Sequence, residues 1–437
     1  MITNENLNKI YKIVLTIILI ISTFLIGLLF FYKPNYYKNK INIKNENRYQ
    51  RVTANTVRIE GKDLYETCTS ISQIVYPSTF RGDRPNAVIL VRSDKVQDAM
   101  LAARVSHDPI NAPILFTKKN SIPESTLKEI ERLSENEKVK AIGEIGLDYY
   151  YEENPKRDIQ IKAFKKQMEL AEKLNLPVVI HDIGEEIKNT LNKKNLKYRH
   201  IKGKDVYDLS LNIDNYLAAF QGDHKDVVII APIEKPEYSL AQASWNAHNG
   251  DGFFFVEKNK VPEPVKKALK ARYGGAYIYI LGDKIHISNK VKKELAKYGH
   301  VERIPGGENI YNQAVSFATY KDVGKNFSWW FHKKSRDFGW GITQPGHNFI
   351  FVNPDNWQVA VASSLLSHKG KHAPILLVYK NSIPENLKDY LYTIKPSYIS
   401  SQEISNNHGW IIGNSDYISD INQVKIDSLL EGERSNR

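Results

Sequence analysis

Glu144 and His181 are the residues whose types and settings could support catalysis. Glu144 lies in the run K-A-I-G-E-I-G-L-D over residues 140–148, and His181 ends the run L-P-V-V-I-H over 176–181. A carboxylate and an imidazole at strand ends can hold metal ions that orient water and neutralise the charge developing on a phosphoryl group. One carboxylate and one imidazole do not hold a catalytic metal pair. The residues themselves therefore predict no metal site, no cofactor and no catalytic residue.

The segment over 137–182, which contains both motifs, resembles the middle of TatD-type metal-dependent deoxyribonucleases, a family of TIM-barrel hydrolases. The resemblance implies that Glu144 stands where the family has a bridging metal carboxylate and His181 where it has a metal-binding histidine. The family's opening H-x-H pair occurs nowhere in this chain, and its later histidine and aspartate have no convincing match. The segment supplies about two of the eight β/α units of a barrel. We predict a catalytically silent fragment, with a TatD-type DNase or hydrolase as the alternative.

An aromatic and basic insertion over 326–348 is the best candidate for ligand contact. Its rings could stack on the sugars of a polymer while its basic side chains bind anionic groups. The candidate residues are Trp329, Trp330, Lys333, Lys334, Arg336 and Trp340. The alternative is that these aromatics form a small core beneath a long loop.

A repeated segment indicates the elements that must position these residues. The pattern A-P-I-L-x-x-x-K-N-S-I-P-E occurs at 112–124 and 373–385, and a degenerate copy occurs at 251–263. Each copy is preceded by a box that begins with glycine and ends with tyrosine, at 61–65, 203–207 and 306–311. Repetition on this scale indicates one architecture used three times, so that departures from the repeat are insertions.

Short apolar runs alternate with helical patterns throughout the three copies, which predicts β-α-β units and parallel sheets. The predicted strands are 87–91, 113–117, 226–231, 252–257, 277–282, 348–352, 374–379 and 409–413. The predicted helices are 63–75, 96–106, 123–133, 238–248, 262–273, 289–298, 357–367 and 384–392. The fold class is therefore α/β, with three small parallel-sheet modules in tandem.

The box, the A-P-I-L segment and an I-I-G turn before a capped helix together resemble the cell-wall-binding repeat type 2 family of Gram-positive surface proteins. The resemblance implies three repeats packed with pseudo-threefold symmetry, and non-covalent attachment to the wall through anionic polymers. It also implies an exported, non-enzymatic anchoring region. The family's helix-opening aspartate is Asp98 in the first copy, Glu237 in the second and Val359 in the third. Binding positions therefore cannot be assumed equivalent across the copies.

The spacing of the repeats predicts the domain boundaries. These are a membrane anchor over 1–34, a tether over 35–55, module one over 56–200 with the TatD-like insert 137–182, module two over 201–303, and module three over 304–437 with the insertion 326–348. The insert displaces part of module one. We predict that its strand over 176–180 replaces the lost strand of that module.

Charge and composition limit the class of partner. The net charge of +12 and a pI near 9.2 favour a polyanionic partner, and nucleic acid, anionic lipid and anionic wall polymer all qualify on charge alone. A basic surface that serves only solubility is the alternative. With the repeats, the predicted partner is anionic wall polymer, and no nucleic acid is expected. The one cysteine, Cys68, excludes an intrachain disulfide and is predicted to be a small buried residue. The histidines occur singly, which favours structural roles over metal binding.

Residues 13–32 form an uncharged apolar run long enough to span a bilayer as one helix. No small-x-small cleavage site follows the run, so a retained signal anchor is predicted. The sequence as a whole predicts a single-pass membrane-tethered protein of the cell envelope, with its body outside the cytoplasm and its repeats on anionic polymer. The alternatives are the TatD-type hydrolase and a purely structural scaffold.

Overall fold

The computed structural model describes residues 52–77, 85–108, 110–134, 193, 201–325, 335–368, 372–398 and 406–434. The chain divides into two compact units, 1–46 and 47–437, and every described residue belongs to the second. The TatD-like insert over 137–182 lies outside the described residues, as does the strand predicted within it. Among the helices that the structure does describe, none is both long and apolar enough to cross a bilayer. The apolar run over 13–32 is not among the residues described.

Residues 52–134 form two β-α units after an N-terminal strand. The elements are β1 (Thr56–Ile59), α1 (Leu64–Val75), β2 (Ile89–Arg92), α2 (Val96–Ala102), β3 (Ile114–Thr117) and α3 (Glu124–Ser134). Helix α2 continues into a 3-10 segment, Ala103–Ser106, so the predicted helix over 96–106 is two helical segments. Cys68 in α1 is a buried free thiol, as predicted, and burial raises its pKa.

Residues 201–303 form a longer alternation of helices and strands. The elements are α4 (Val206–Gln221), β4 (Val227–Pro232), α5 (Leu240–Asn249), β5 (Gly252–Val256), α6 (Glu263–Lys270), β6 (Ala276–Ile280), α7 (Asn289–Leu295) and β7 (Gly299–Arg303). The strand β7 was not predicted from the sequence.

Residues 304–434 repeat this order with additions. The elements are α8 (Ile310–Thr319), β8 (Asp322–Lys325), β9 (Ser335–Phe338), β10 (Asn348–Val352), α9 (Trp357–Ser363), β11 (Ile375–Leu377), α10 (Glu385–Thr393), β12 (Ser397–Tyr398), β13 (His408–Ile412), α11 (Asp420–Leu430) and β14 (Glu433–Arg434). Strands β8 and β9 pair antiparallel, and of the two only β9 lies within the predicted insertion over 326–348.

Three parallel sheets carry the core of the described residues, and β12 and β14 form a further parallel pair. The first sheet pairs β2 with β3, the second has the order β5-β4-β6-β7, and the third has the order β1-β13-β10-β11. The α/β class with parallel sheets is therefore confirmed. Strand β1 begins the described chain, yet it hydrogen-bonds to β13 near the C-terminus, with Thr56 opposite Gly409 and Ile59 opposite Ile412.

Both four-stranded sheets are covered on two faces. In β4, Ile229 joins a large core shared by all three sheets, while its neighbours Val228 and Ile230 join a separate core with α6 and α7. In β10, Ile350 and Phe351 divide in the same way between the shared core and a core with α10 and α11. Burial on both faces explains why these strands are continuous apolar runs rather than alternating ones.

The glycine-tyrosine boxes begin helices. Asp63, Asp205 and Asn309 are the N-caps of α1, α4 and α8, and their side chains accept backbone N–H groups of the first helical turn. A Cβ on Gly61 would lie 2.5 Å from Glu66 Cβ, and one on Gly203 would lie 2.3 Å from Leu209 N. Glycine permits this close approach between the box and the first turn of the helix. The box therefore serves to start a helix. The third box keeps its cap through Asn309.

Candidate functional site

In each sheet, side chains of the repeated motifs lie at the carboxyl ends of the parallel strands. We call these ends the carboxyl edges, and they are where open α/β sheets usually bind ligands. The box tyrosine reaches the edge of its own sheet. Tyr65 Oη lies 3.0 Å from Ser93 Oγ, just after β2, and the ring of Tyr311 lies 4.3 Å from that of Tyr379, just after β11.

The three edges differ in chemistry. Burial, with the carboxylates of Glu257, Asp205 and Glu234, raises the pKa of Tyr207 to about 12. Burial, with Tyr379 and Asp355, likewise raises the pKa of Tyr311 to about 12. Both phenols therefore stay neutral hydrogen-bonding groups at physiological pH. The groups around Tyr207 and Tyr311 therefore differ, and the equivalence of binding positions across the copies stays a matter for prediction.

Each carboxyl edge also presents one exposed lysine from the repeated K-N pair. These loop lysines are Lys119, Lys258 and Lys380, which follow β3, β5 and β11 respectively. None of them forms an ion pair with another residue in the described part of the chain, so their charges face solvent. The backbone carbonyls of Lys258 and Lys380 accept N–H groups of Ser288 and Ser419 at 2.9 Å, which fixes the two loops in the same way. The K-N pair at a constant place in each repeat was the signal for these residues, but the sequence interpretation did not use it.

The aromatic insertion packs against the second sheet through β9, which pairs with β8. The Phe338 ring of β9 stacks on Tyr279 of β6 with centroids 3.7 Å apart, and Tyr279 Oη donates to the Asp322 carboxylate of β8 at 2.7 Å. Trp340 is half-buried, with its ring 5.3 Å from Trp245 and stacked at 5.2 Å on His248. Trp340 therefore takes part in packing, the role that the alternative interpretation gives to these aromatics.

Of the other residues that the sequence proposes for a site, only Arg336 is among those that the structure describes. Arg336 lies in β9 opposite Gly324. Trp329, Trp330, Lys333 and Lys334 lie outside the described residues, as do Glu144 and His181. Polymer contact by the insertion thus stays a prediction. Within the described ranges, no group of three or more His, Cys, Asp or Glu side chains could hold a metal ion.

Two families match different parts of the sequence. Residues 200–292 match the model of Cell wall binding domain 2 (CWB2). Residues 102–202 match the model of TatD related DNase. The chain contains sequence of both families. The TatD match begins inside α2 and includes β3 and α3, so it is wider than the predicted insert over 137–182.

Curated relatives repeat this division. The uncharacterized metal-dependent hydrolase YabD of Bacillus subtilis is 38% identical over 100 residues, which are 23% of this chain and 36% of that protein. The amidase enhancer of Bacillus subtilis is 25% identical over 278 residues, which are 62% of this chain and 31% of that protein. In both cases this chain spans only a minor part of the relative's length.

Solved structures resemble the chain over most of its length. Cwp6 from Clostridium difficile covers 90% of this chain and 50% of its own, with a TM-score of 0.59 and 18% identity. Cwp8 from Clostridium difficile covers 86% of this chain and 52% of its own, with a TM-score of 0.61 and 17% identity. At these identities the similarity concerns the fold. The CWB2 match associates the chain with cell-wall proteins, and the two solved structures support the fold.

Proposed function

We propose that this chain attaches a protein to the bacterial cell wall by binding anionic wall polymer at the carboxyl edges of its sheets. The observation that carries the proposal is the exposed loop lysine at the carboxyl edge of each sheet, which has no ion-pair partner among the described residues. The cation can contact an anionic group of the polymer, and we propose that the box tyrosine of the same repeat contacts a neighbouring sugar. In this proposal the three sheets act as tandem binding modules, and the run over 13–32 tethers the chain to the membrane on the outer side.

Three modest sites on one compact unit suit a repeating polymer. Each exposed cation contributes little alone, because surface charge pairs are worth about 0–1 kcal/mol. Simultaneous engagement converts later contacts into intramolecular ones, which raises the overall affinity well above that of one site. In this proposal the insertion over 326–348, with its tryptophans and lysines, extends the contact surface.

Sedimentation with purified cell walls tests the proposal. The full-length chain is expected to bind walls at low salt and to be released as salt rises from about 0.1 M to 1 M, because the Debye length falls from about 10 Å to 3 Å. The triple variant Lys119→Gln, Lys258→Gln, Lys380→Gln is expected to bind at least ~10-fold more weakly, at about 0.5–1 kcal/mol per lost contact.

A matched control removes the same charge elsewhere. Lys270, Lys293 and Lys297 are exposed residues of the last turns of α6 and α7 and of the turn that follows α7. Their triple glutamine variant is expected to bind walls as the wild type does. Walls stripped of anionic polymer should bind neither variant. Failure of the wild type to sediment at low salt would contradict wall binding, and equal loss in both triple variants would contradict the carboxyl edges as the contact surface.

The TatD-like sequence supports a second candidate function, metal-dependent hydrolysis of DNA. In that family's chemistry, metal ions would orient the attacking water and stabilise charge on the phosphoryl group. Of the donors that the resemblance requires, this chain supplies Glu144 and His181, and it contains no H-x-H pair. The residues present therefore do not fit a metal pair, and we propose that the chain is not an enzyme.

Incubation of the purified chain with DNA and Mg²⁺, Mn²⁺ or Zn²⁺ checks this second candidate. We expect hydrolysis at the rate of the buffer blank, the same in the presence of EDTA and in the variant Glu144→Gln. Hydrolysis that both EDTA and Glu144→Gln abolish would show an active hydrolase.

A further inference from the structure

Three histidines occupy corresponding places at the ends of the central helices. His107 directly follows the 3-10 segment that extends α2, His248 lies in the last turn of α5, and His368 lies shortly after α9. Helices α2, α5 and α9 follow the first strand of their respective β-α-β units and pack on one another in the middle of the described chain. The three sheets thus each contribute one imidazole to the same place.

The imidazoles are close together. The rings of His107 and His368 lie 5.4 Å apart, edge to face, and the rings of His248 and His372 lie 4.7 Å apart in the same manner. His372 precedes β11 and is the fourth member of the group. We call His107, His248, His368 and His372 the histidine junction. The histidines are isolated in the sequence, because the group forms only when three separate repeats meet.

Each of the first three imidazoles bonds to the segment of another sheet. The ring of His107 hydrogen-bonds the carbonyl of Ala247 in α5. The ring of His248 hydrogen-bonds the carbonyl of Ser367 after α9. His368 Nε2 bonds the side-chain oxygen of Asn111, which precedes β3. His107 thus connects the first sheet to the second, His248 connects the second to the third, and His368 connects the third to the first. Together the three histidines join the central helices of all three sheets.

The backbone around the junction is fitted to the rings. A Cβ on Gly250, which has φ +70°, would lie 2.4 Å from His107 Cδ2, so only glycine leaves room for this imidazole. Asn111 and His372 hold φ values of +51° and +46°, which are uncommon for residues other than glycine. His107 Nδ1 is buried and has no hydrogen-bond partner among the described residues. A proton added there would place a new N–H and a positive charge where nothing accepts them.

The charges near the junction also oppose protonation. Burial, with His368 and Lys225, lowers the pKa of His107 to about 4, and Asp108 acts weakly in the other direction. Burial, with His372 and His368, lowers the pKa of His248 to about 4. Apart from Asp108, the titratable groups that act on these two rings are cationic or become so in acid.

We propose that the histidine junction is an acid-sensitive lock, which holds the three sheets together while His107 and His248 are neutral and releases the central helices when these two imidazoles are protonated. This inference goes beyond wall binding and does not depend on it. A histidine in the unfolded chain has a pKa near 6.5. Since the folded-state values lie lower, the unfolded or opened chain binds more protons between about pH 6.5 and 4, and stability falls as the pH falls through that window.

Urea unfolding between pH 7.5 and 4.5 tests the lock. From about pH 6 to 5, His107 and His248 together should change the ratio of unfolded to folded protein by roughly 100-fold per pH unit, tenfold for each proton. The double variant His107→Gln, His248→Gln retains amide donors but cannot take up these protons. It is expected to lose this steep dependence. The control His300→Gln, His408→Gln replaces exposed histidines and should keep the wild-type dependence.

A measurement on the wild type keeps the test independent of whether the variant folds. Proton uptake on unfolding at pH 5.5, obtained by calorimetry in buffers of different ionisation enthalpy, should be about two protons from these histidines. An uptake of more than one proton supports the lock, because His347, whose pKa burial also lowers, can supply at most one. An uptake of one proton or less, or identical pH dependence in the wild type and a folded double variant, overturns it.

Discussion

Replacement of Asp214 by alanine is expected to lower the free energy of unfolding by about 3–5 kcal/mol, because it leaves buried guanidinium groups without their counter-charge. Asp214 lies in α4 and is completely buried. Its carboxylate is bound by Arg104 Nη1 at 2.6 Å, by Arg272 Nη2 at 2.9 Å and by His224 Nδ1 at 2.8 Å. Arg104 comes from the segment after α2, so the carboxylate joins the first sheet's helices to the second sheet.

Asp214 stays ionised across the physiological pH range. Burial alone would raise the pKa of this carboxyl, but Arg272 and Arg104, with the hydrogen bond from His224, hold it well below its usual value. A lowered folded-state pKa adds stability that is present above the unfolded value near 3.9 and is lost only as pH falls through the folded value. The effect of Asp214→Ala should therefore be nearly constant between pH 5 and 8, unlike that of the histidine junction.

Urea unfolding at pH 7 measures the effect of Asp214→Ala. The control is Asp223→Ala, because Asp223 is exposed and, among the described residues, its carboxylate accepts only the backbone N–H of His224. It should change the free energy of unfolding by no more than about 0.5 kcal/mol. Asp214→Asn, which keeps the shape without the charge, should lie between the two. If Asp214→Ala stayed within about 1 kcal/mol of the wild type, the buried charge cluster would not be a structural link.

The β-α-β units could be predicted because their signals are local. Apolar runs such as 226–231 and 348–352 have no other way to be buried than as strands covered on both faces. Proline before α3, α6 and α10 marks a helix start, since its missing N–H would be unpaired there in any case. For most strand ends, the predicted and the observed boundary accordingly differ by one or two residues.

The closing strands could not be predicted because their partners are distant in sequence. β1 and β7 contain arginine and polar residues, and their short patterns do not stand out from loops. β1 finds its partner β13 near the opposite end of the chain, and no local pattern specifies that register. β7 pairs with β6, and the chain then continues to α8, which packs on the third sheet.

The candidate site was only partly visible for a related reason. Trp340 was predicted to contact ligand because its segment is rich in aromatic and basic residues. Whether its ring faces solvent or Trp245 depends on tertiary packing. The loop lysines were within the repeated pattern, yet solvated lysines are common and their edge position requires the sheet. Buried charges such as Arg58, Arg104 and Asp214 have ordinary surroundings in sequence, and only the structure identifies their partners.

Arg58 is expected to be the other residue with a large effect, because it fastens β1 to the third sheet. The side chain is completely buried. It donates to the carbonyls of Gly413 at 2.7 Å and Ile418 at 2.8 Å, and to Gln423 Oε1 at 2.9 Å. Arg58→Met leaves these acceptors without donors in the interior, at about 1–3 kcal/mol for each unsatisfied group. We expect a loss of about 3–5 kcal/mol and detachment of β1 before the sheets unfold.

Arg303 in β7 provides a matched comparison within the same chain. It donates to the carbonyls of Gly282 at 2.5 Å and Ile287 at 2.6 Å, at the corresponding turn of the second sheet, but it is only half-buried. Water can replace its bonds, so Arg303→Met should cost about 1–2 kcal/mol. Arg58→Lys should recover little, because an ammonium group cannot reproduce the planar fork. Urea unfolding measures these differences, and trypsin cleavage after Lys62 reports detachment of β1. Equal stability of Arg58→Met and wild type, with Lys62 still protected, would show that β1 is held by its backbone ladder alone.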